Sequence, residues 1–199
     1  MSKPILLVIA GCNGSGKSSF SSILAADNFQ PFDYDIHYLN HYRTIPDSDV
    51  KDTMAHNLAF SDLELVIKNA LSTNSNFCYE TNFNSTPLHW PELFKNNNYE
   101  LRLIYLCLNS IEEAKKRVEI RVENGGHFVA SDEIEKRYFQ GFNHLNQHFS
   151  YFNKVDLFDT SEYGIVPKHI LSIENDIVTR SSHIENYLYR LLPNILDHA

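Results

Sequence analysis

Apolar positions along the chain fall into two patterns, short unbroken runs and stripes at helical spacing. Residues 4–10 are a continuous apolar run and 101–108 an apolar run broken only by Arg102, and both predict strands buried on both faces. Shorter strand candidates lie at 30–35, 76–80 and 155–158, the last being the final strand the pattern predicts. Residues 17–26 read as the helix after the first strand, and 36–46 read as irregular. Residues 49–72 carry Ala55, Leu58, Ala59, Leu63, Val66, Ile67, Ala70 and Leu71 as one helical stripe. Ser110-Ile111-Glu112-Glu113 is a capping box that opens another helix. Ser131 is placed to cap the next one, whose stripe is Ile134, Tyr138, Phe142, Leu145 and Phe149. A last helix is predicted over 182–192, stopped by Pro193. Strands that alternate with helices imply an α/β fold, a parallel sheet with helices on both faces and ligands at the carboxyl ends of its strands.

Composition narrows the partners. The 199 residues suit one domain, and 43% apolar content supplies a core without disulfide staples. A formal charge of −8 argues against general nucleic-acid binding and against docking on anionic lipid. Cys12, Cys78 and Cys107 are far apart and form no CxxC pair, so neither zinc nor a disulfide framework is implied. Residues 1–10 are too short for a signal peptide, and no run reaches the roughly 18 apolar residues of a membrane span. A cytoplasmic setting is expected.

The strongest chemical signal is Gly11-Cys12-Asn13-Gly14-Ser15-Gly16-Lys17-Ser18, which fits the Walker A pattern G-x-x-x-x-G-K-[ST] between a strand and a helix. Glycines let several backbone N–H groups converge on one anion, and the following helix adds its positive end. Residues 11–19, Ser19 included, are the expected nucleotide contacts. Lys17 is expected on the β- and γ-phosphates and Ser18 on Mg²⁺. ATP and Mg²⁺ are therefore the expected cofactors.

Four classes of nucleotide protein can be weighed. The strand 101–108 runs into Asn109, not the Asp-Glu of a transport ATPase. Asn153-Lys154-Val155-Asp156 spells a guanine-reading motif, but no glycine has an Asp three residues before it, and the tetrapeptide precedes its apolar run. A dinucleotide-binding dehydrogenase would need G-x-G-x-x-G. A small-molecule kinase remains, which needs an acceptor pocket, a carboxylate and arginines that cover the triphosphate. Asp33 and Asp35, then Glu80 and Thr81, end strand candidates. Arg117 and Arg121 share a helical face, Gly125-Gly126-His127 is a hinge, and Lys136 and Arg137 follow it. This arrangement predicts one P-loop kinase-like domain over 1–199, with 110–149 as a helical lid.

These residues resemble the zeta-toxin-like family of P-loop kinases, including short bacterial members labelled predicted ATPases. The loop is similar to G-P-N-G-[AS]-G-K-S, Phe32-Asp33-Tyr34-Asp35 to N-x-D, and Tyr79-Glu80-Thr81 to F-E-T. Arg117-Val118, Arg121-Val122, Gly125-Gly126-His127, Val129, Ile134 and Arg137-Tyr138 match R-V-x-x-R-V-x-x-G-G-H-x-V-P-x-x-x-I-x-R-R-Y. Asp159-Thr160-Ser161 is similar to a D-N-S segment. Cys12, Asp33, Ala130, Lys136 and Thr160 depart from the family pattern, and Lys136 cannot grip phosphate bidentately as Arg does.

The resemblance implies an ATP-dependent phosphotransferase acting on a small-molecule hydroxyl. It implies Asp35 as base, Asp33, Glu80 and Thr81 beside the acceptor, and Arg117, Arg121 and Arg137 around the triphosphate. Family toxins phosphorylate UDP-N-acetylglucosamine, so a nucleotide sugar is one acceptor it suggests, although 36–46 matches no pattern that carries the substrate over. An antitoxin-like protein partner is not readable from the residues. The alternative is an ATP-hydrolysing switch acting through a protein partner, with Ile184, Leu188, Leu191, Leu192 and Ile195 available for docking.

Overall fold

The computed structural model describes residues 3–25, 29–175, 177–180 and 183–197. A six-stranded sheet runs in the order β2-β1-β3-β4-β5-β6. Its strands are β1 (Ile5–Ala10), β2 (Phe77–Thr81), β3 (Glu100–Cys107), β4 (Lys154–Asp159), β5 (Lys168–Glu174) and β6 (Ile177–Arg180). The first four are parallel, with Ala10 level with Thr81 on one side and Tyr105 on the other. The last two are antiparallel, so the expectation of an all-parallel sheet ending at 158 is corrected. β6 is mostly exposed, which denied it an apolar run to read.

Alternation along β1 sorts its side chains onto two faces. Leu6, Val8 and Ala10 join the larger core, whereas Leu7 and Ile9 join a smaller one with Cys78, Ile104 and Leu106. The larger core is covered by α3 (Lys51–Thr73), α4 (His89–Asn96), α6 (Ser131–His148), α7 (Asn186–Leu191) and α8 (Pro193–Leu196). α1 (Lys17–Leu24) lies over β1 and β2, with Leu24 packed on the smaller core. The expected extension of this helix to Ala26 falls outside the described residues.

Several expectations need correction. Residues 30–35 contribute one bridge, Phe32 to Tyr79, rather than a strand. The backbone then turns at Asp33, whose carboxylate accepts from the N–H groups of Asp35 and Ile36 and caps α2 (Tyr34–Thr44). The stretch expected to be irregular is thus helical. Its faces mix aromatic, histidine and polar residues, and tertiary contacts hold it: Tyr38 donates to Asp52 at 2.6 Å, while His37 and His41 both meet Asp62 Oδ2. Those bonds hold the Asp62 carboxyl below its ordinary range.

Ser110 caps α5 (Ile111–Glu123) as expected, but α6 is preceded by extended Ala130, and Ser131 is its first residue. The C-terminal stretch breaks at Leu192, and Pro193 starts α8 rather than only ending a helix. Ser182 and Ala199 lie outside the described residues. Ile184, Leu188, Leu192 and Ile195 are each at most 3% exposed, so the chain's own core occupies the residues thought free for docking.

Gly141 on α6 shows how tightly this layer meets the sheet. A Cβ there would stand 2.6 Å from the Tyr105 hydroxyl and 3.0 Å from the Asn82 carbonyl, and Tyr105 is fully buried. Gly141→Ala should therefore destabilise the protein by about 1–3 kcal/mol, read as a lower urea midpoint.

Candidate active site

The loop after β1 is shaped by glycines in conformations other residues resist. Gly14 has φ +80°, and a Cβ on it would come 2.8 Å from the Ala114 carbonyl and 3.2 Å from Arg117 Cβ. The loop therefore sits against α5, and α1 begins at Lys17 with Gly16 as its cap. The amino end of α1 and the loop amides face the carboxyl edge of the sheet.

Lys17 Nζ donates to the Gly11 carbonyl at 2.8 Å, the Cys12 carbonyl at 3.1 Å and Asn82 Oδ1 at 3.0 Å. Desolvation lowers its pKa, opposed in part by Glu80 and Asp35. Ser18 donates its hydroxyl to Glu80 Oε2 at 2.9 Å. Burial and the nearby Asp33 raise the Glu80 pKa, against hydrogen bonds from Ser21 and Ser18 and the charge of Lys17. Glu80 thus stands at the loop hydroxyl as well as on the cavity wall. A hydroxyl and a carboxylate are hard oxygen donors, the set Mg²⁺ takes when phosphates complete its shell. Cys12 is fully buried and its thiol is pushed up to about 11, so it stays protonated.

The three expected arginines converge on this loop in different ways. Arg117 is held by four acceptors: Glu113 at 2.7 Å, and the carbonyls of Thr160 at 2.8 Å, Ser161 at 2.9 Å and Gly14 at 3.4 Å. Its side chain is 8% exposed, so it is a fixed clamp between loop and β4 rather than the mobile group expected. Arg121 faces Asp35 Oδ2 at 3.5 Å and donates to the His127 carbonyl at 2.9 Å. Arg137 pairs with Glu133 and reaches Asn13 Oδ1 at 3.3 Å. Lys136 stays on its own helix, 3.6 Å from Glu133. Burial lowers the pKa of His127, whose ring meets Tyr38 edge-on.

The loop, Arg117, Arg121 and the carboxylates border one cavity of about 810 Å³ along the carboxyl edge, which Arg137 does not line, a volume in the range of small-molecule sites. Lys17, Ser18, Asp33, Asp35, Glu80 and Thr81 line it. Asp33 also caps α2, and the Thr81 hydroxyl accepts from the Phe83 N–H at 3.0 Å, so both carry the wall's backbone. Ser15 is buried with no hydrogen-bond partner for its hydroxyl. Asn82, which ends the polar segment Glu80-Thr81-Asn82 after the second strand, anchors Lys17. Two wall residues escaped the sequence reading. Tyr163 lies 5.4 Å from the Arg117 guanidinium, and Trp90 stands on α4, an element the pattern did not reveal.

The comparisons agree with this architecture. The sequence model of the zeta toxin family matches residues 1–179. An uncharacterized protein of Haemophilus influenzae is 39% identical over 44 residues, which are 22% of this chain and 31% of that protein. A structure from the PezAT chromosomal toxin-antitoxin system of Streptococcus pneumoniae superposes with TM-score 0.61 at 16% identity, over 98% of this chain and 79% of that one. The AvrRxo1-ORF1:AvrRxo1-ORF2 complex gives TM-score 0.73 at 13% identity with sulphate bound, over 96% and 63%. Its ATP-bound form gives 0.65 at 14%, over 96% and 63%. This chain therefore spans less than two thirds of that AvrRxo1 chain. Among the described residues, no helix is long and apolar enough to cross a membrane.

If Arg117 is a clamp, removing it costs stability before it costs chemistry. Arg117→Ala strands Glu113, the carbonyl of Thr160 at a buried bond and those of Ser161 and Gly14 at partly buried ones, and should destabilise the fold by roughly 3 kcal/mol or more. A mobile arginine would instead lose turnover with an unchanged urea midpoint. With the loop, the sheet order and the family match all in place, the chain belongs to the zeta toxin family and has its kinase-like fold.

Proposed function

We propose that the protein is an ATP-dependent phosphotransferase that phosphorylates a hydroxyl of a small molecule. The observation that carries this reading is the shared cavity: the ammonium of Lys17, the hydroxyl of Ser18 and the carboxylate of Asp35 open onto one space, with Arg121 beside Asp35. The ATP-bound AvrRxo1 complex of the same fold supports the choice of nucleotide.

In this reading the phosphates of ATP lie on residues 11–19, and Lys17 leaves the loop carbonyls to meet them. Ser18 and Glu80 would hold Mg²⁺, which would supply positive charge to offset that of the phosphates. Asp35 accepts a hydrogen bond from the acceptor hydroxyl and orients its oxygen. The acceptor oxygen bonds to the γ-phosphorus, the bond from phosphorus to the β-bridging oxygen breaks, and ADP leaves. The hydroxyl proton passes to Asp35, late, because the transition state is loose. Arg121 is a cation 3.5 Å from that carboxylate and Arg137 reaches Asn13; the helices of the expected lid segment 110–149 stay packed through Arg117 and the buried face of α6, and the Arg121 and Arg137 side chains turn onto the transferring group and help exclude water from it.

The family also supports a protein partner that holds the enzyme in check, since one of its structural relatives comes from a toxin-antitoxin system. Expression of the chain alone should then slow bacterial growth, and the Lys17→Ala variant should not.

The direct test is transfer of labelled γ-phosphate from ATP into a metabolite pool. Asp35→Asn should keep ATP affinity and lose transfer by roughly 10²-fold or more, the usual share of a positioned base. Lys17→Ala should weaken ATP binding and turnover together. Near-full transfer by Asp35→Asn would remove Asp35 from the chemistry.

A further inference from the structure

The acceptor half of the cavity carries its own chemical signature, and the following rests on the kinase reading above. The sheet order separates the two ends of the cavity. β4 and the Glu162–Gly164 loop lie on one side of the phosphate loop, while β2 and the turn into α4 lie on the other. All 17 Lys and Arg residues fall among the described residues. Only Lys17, Arg117 and Arg121 reach the cavity wall. Arg117 is tied to the β4 side, Lys17 to the loop, and Arg121 reaches only as far as Asp35. Beyond Asp35, toward β2 and α4, the wall holds no Lys or Arg, and its one imidazole, His89, is set edge-on to Trp90 at 4.5 Å.

That wall is built from other groups. Trp90 on α4 and Phe60 on α3 stand 6.0 Å apart and both face the cavity, Phe60 being 43% exposed. Beside them are the amide of Asn84 and the hydroxyls of Ser85 and Thr86. The backbone here is held in costly conformations, with φ +55° at Phe83 and +48° at Ser85, and such strain collects where a loop must present groups to a ligand. Three carboxylates, Asp33, Asp35 and Glu80, border the same region. Lys17 and Arg121 already stand against Glu80 and Asp35, so a diphosphate beyond Asp35 would face this like charge with no further cation on that part of the wall. Aromatic faces with amides and hydroxyls instead suit the apolar face and hydroxyl rim of a ring compound.

We propose that the acceptor is a phosphate-free, hydroxyl-bearing ring compound, a glycoside or a nucleoside, that stacks on Trp90 and offers its hydroxyl to Asp35. This departs from the nucleotide sugar that the family resemblance suggests.

Separation of a metabolite pool on an anion-exchange resin tests it. With labelled ATP and the full-length protein, label should enter a compound from the unretained fraction. Labelling confined to the retained, anionic fraction would overturn the proposal. No labelling from the unseparated pool would overturn the kinase reading itself, a distinguishable failure. Trp90 is the only tryptophan of the chain, so its fluorescence reports occupancy without turnover. In the presence of a non-hydrolysable ATP analogue, purified hexosides and purified nucleosides tell the two sources apart by which one shifts the emission; a shift given only by nucleotide sugars would contradict the proposal. Trp90→Ala should raise the acceptor KM about tenfold or more, the share an aromatic platform commonly carries, with the ATP KM unchanged. Trp90→Phe, which keeps a ring in the wall, should restore most of that loss. An unchanged acceptor KM in Trp90→Ala would remove the platform.

Discussion

A buried guanidinium beneath the phosphate loop is the contact on which the rest of the site depends. Arg117 joins the Gly14 carbonyl to those of Thr160 and Ser161 and is itself oriented by Glu113 one turn back on α5. One planar fork thereby fixes the loop, the end of β4 and the first half of the helical pair relative to each other. Because the group is desolvated and its hydrogen bonds go to carbonyls and one carboxylate, it cannot swing out without stranding them. Positive charge around the loop is thus divided between one enclosed arginine and two with more exposed side chains, Arg121 and Arg137.

The same edge of the sheet organises the opposing charges. Lys17 rests on two loop carbonyls and Asn82, a set of neutral acceptors that a phosphate would outcompete. Glu80 and Ser18 form a pair of oxygen donors directly beside it. Parallel strands β1 and β2 end in register at Ala10 and Thr81, which is why groups 65 positions apart in sequence, Lys17 and Asn82, share a hydrogen bond. The site is in this sense a product of strand register. A slip of one residue would turn Glu80 to the other face of the sheet.

Much of this was legible in the sequence, and the gaps have physical causes. β1, β3, α3 and the helical pair after Ser110 announced themselves because burial on two faces demands apolar runs and burial on one face demands a stripe. α2 was hidden because its stability comes from Asp33 at its cap and from Tyr38–Asp52 and the Asp62 imidazole contacts with α3, none of which leaves a periodic apolar trace. α4 is only eight residues long with Pro91 in its first turn, and β5 and β6 pair antiparallel at the sheet edge with partly polar strands. Within the site, the loop was readable because its motif is local. The clamp role of Arg117 was not, since its partners lie 43 and 103 positions away, and a helical arginine looks the same whether it is free or enclosed.

Calorimetric titration of the protein with ATP in the presence of magnesium addresses the central claim most directly. The arrangement of loop amides, Lys17 and the Ser18–Glu80 pair predicts saturable binding of one ATP per chain, weakened when magnesium is chelated. A flat titration with every purine nucleoside triphosphate, on folded protein, would contradict it.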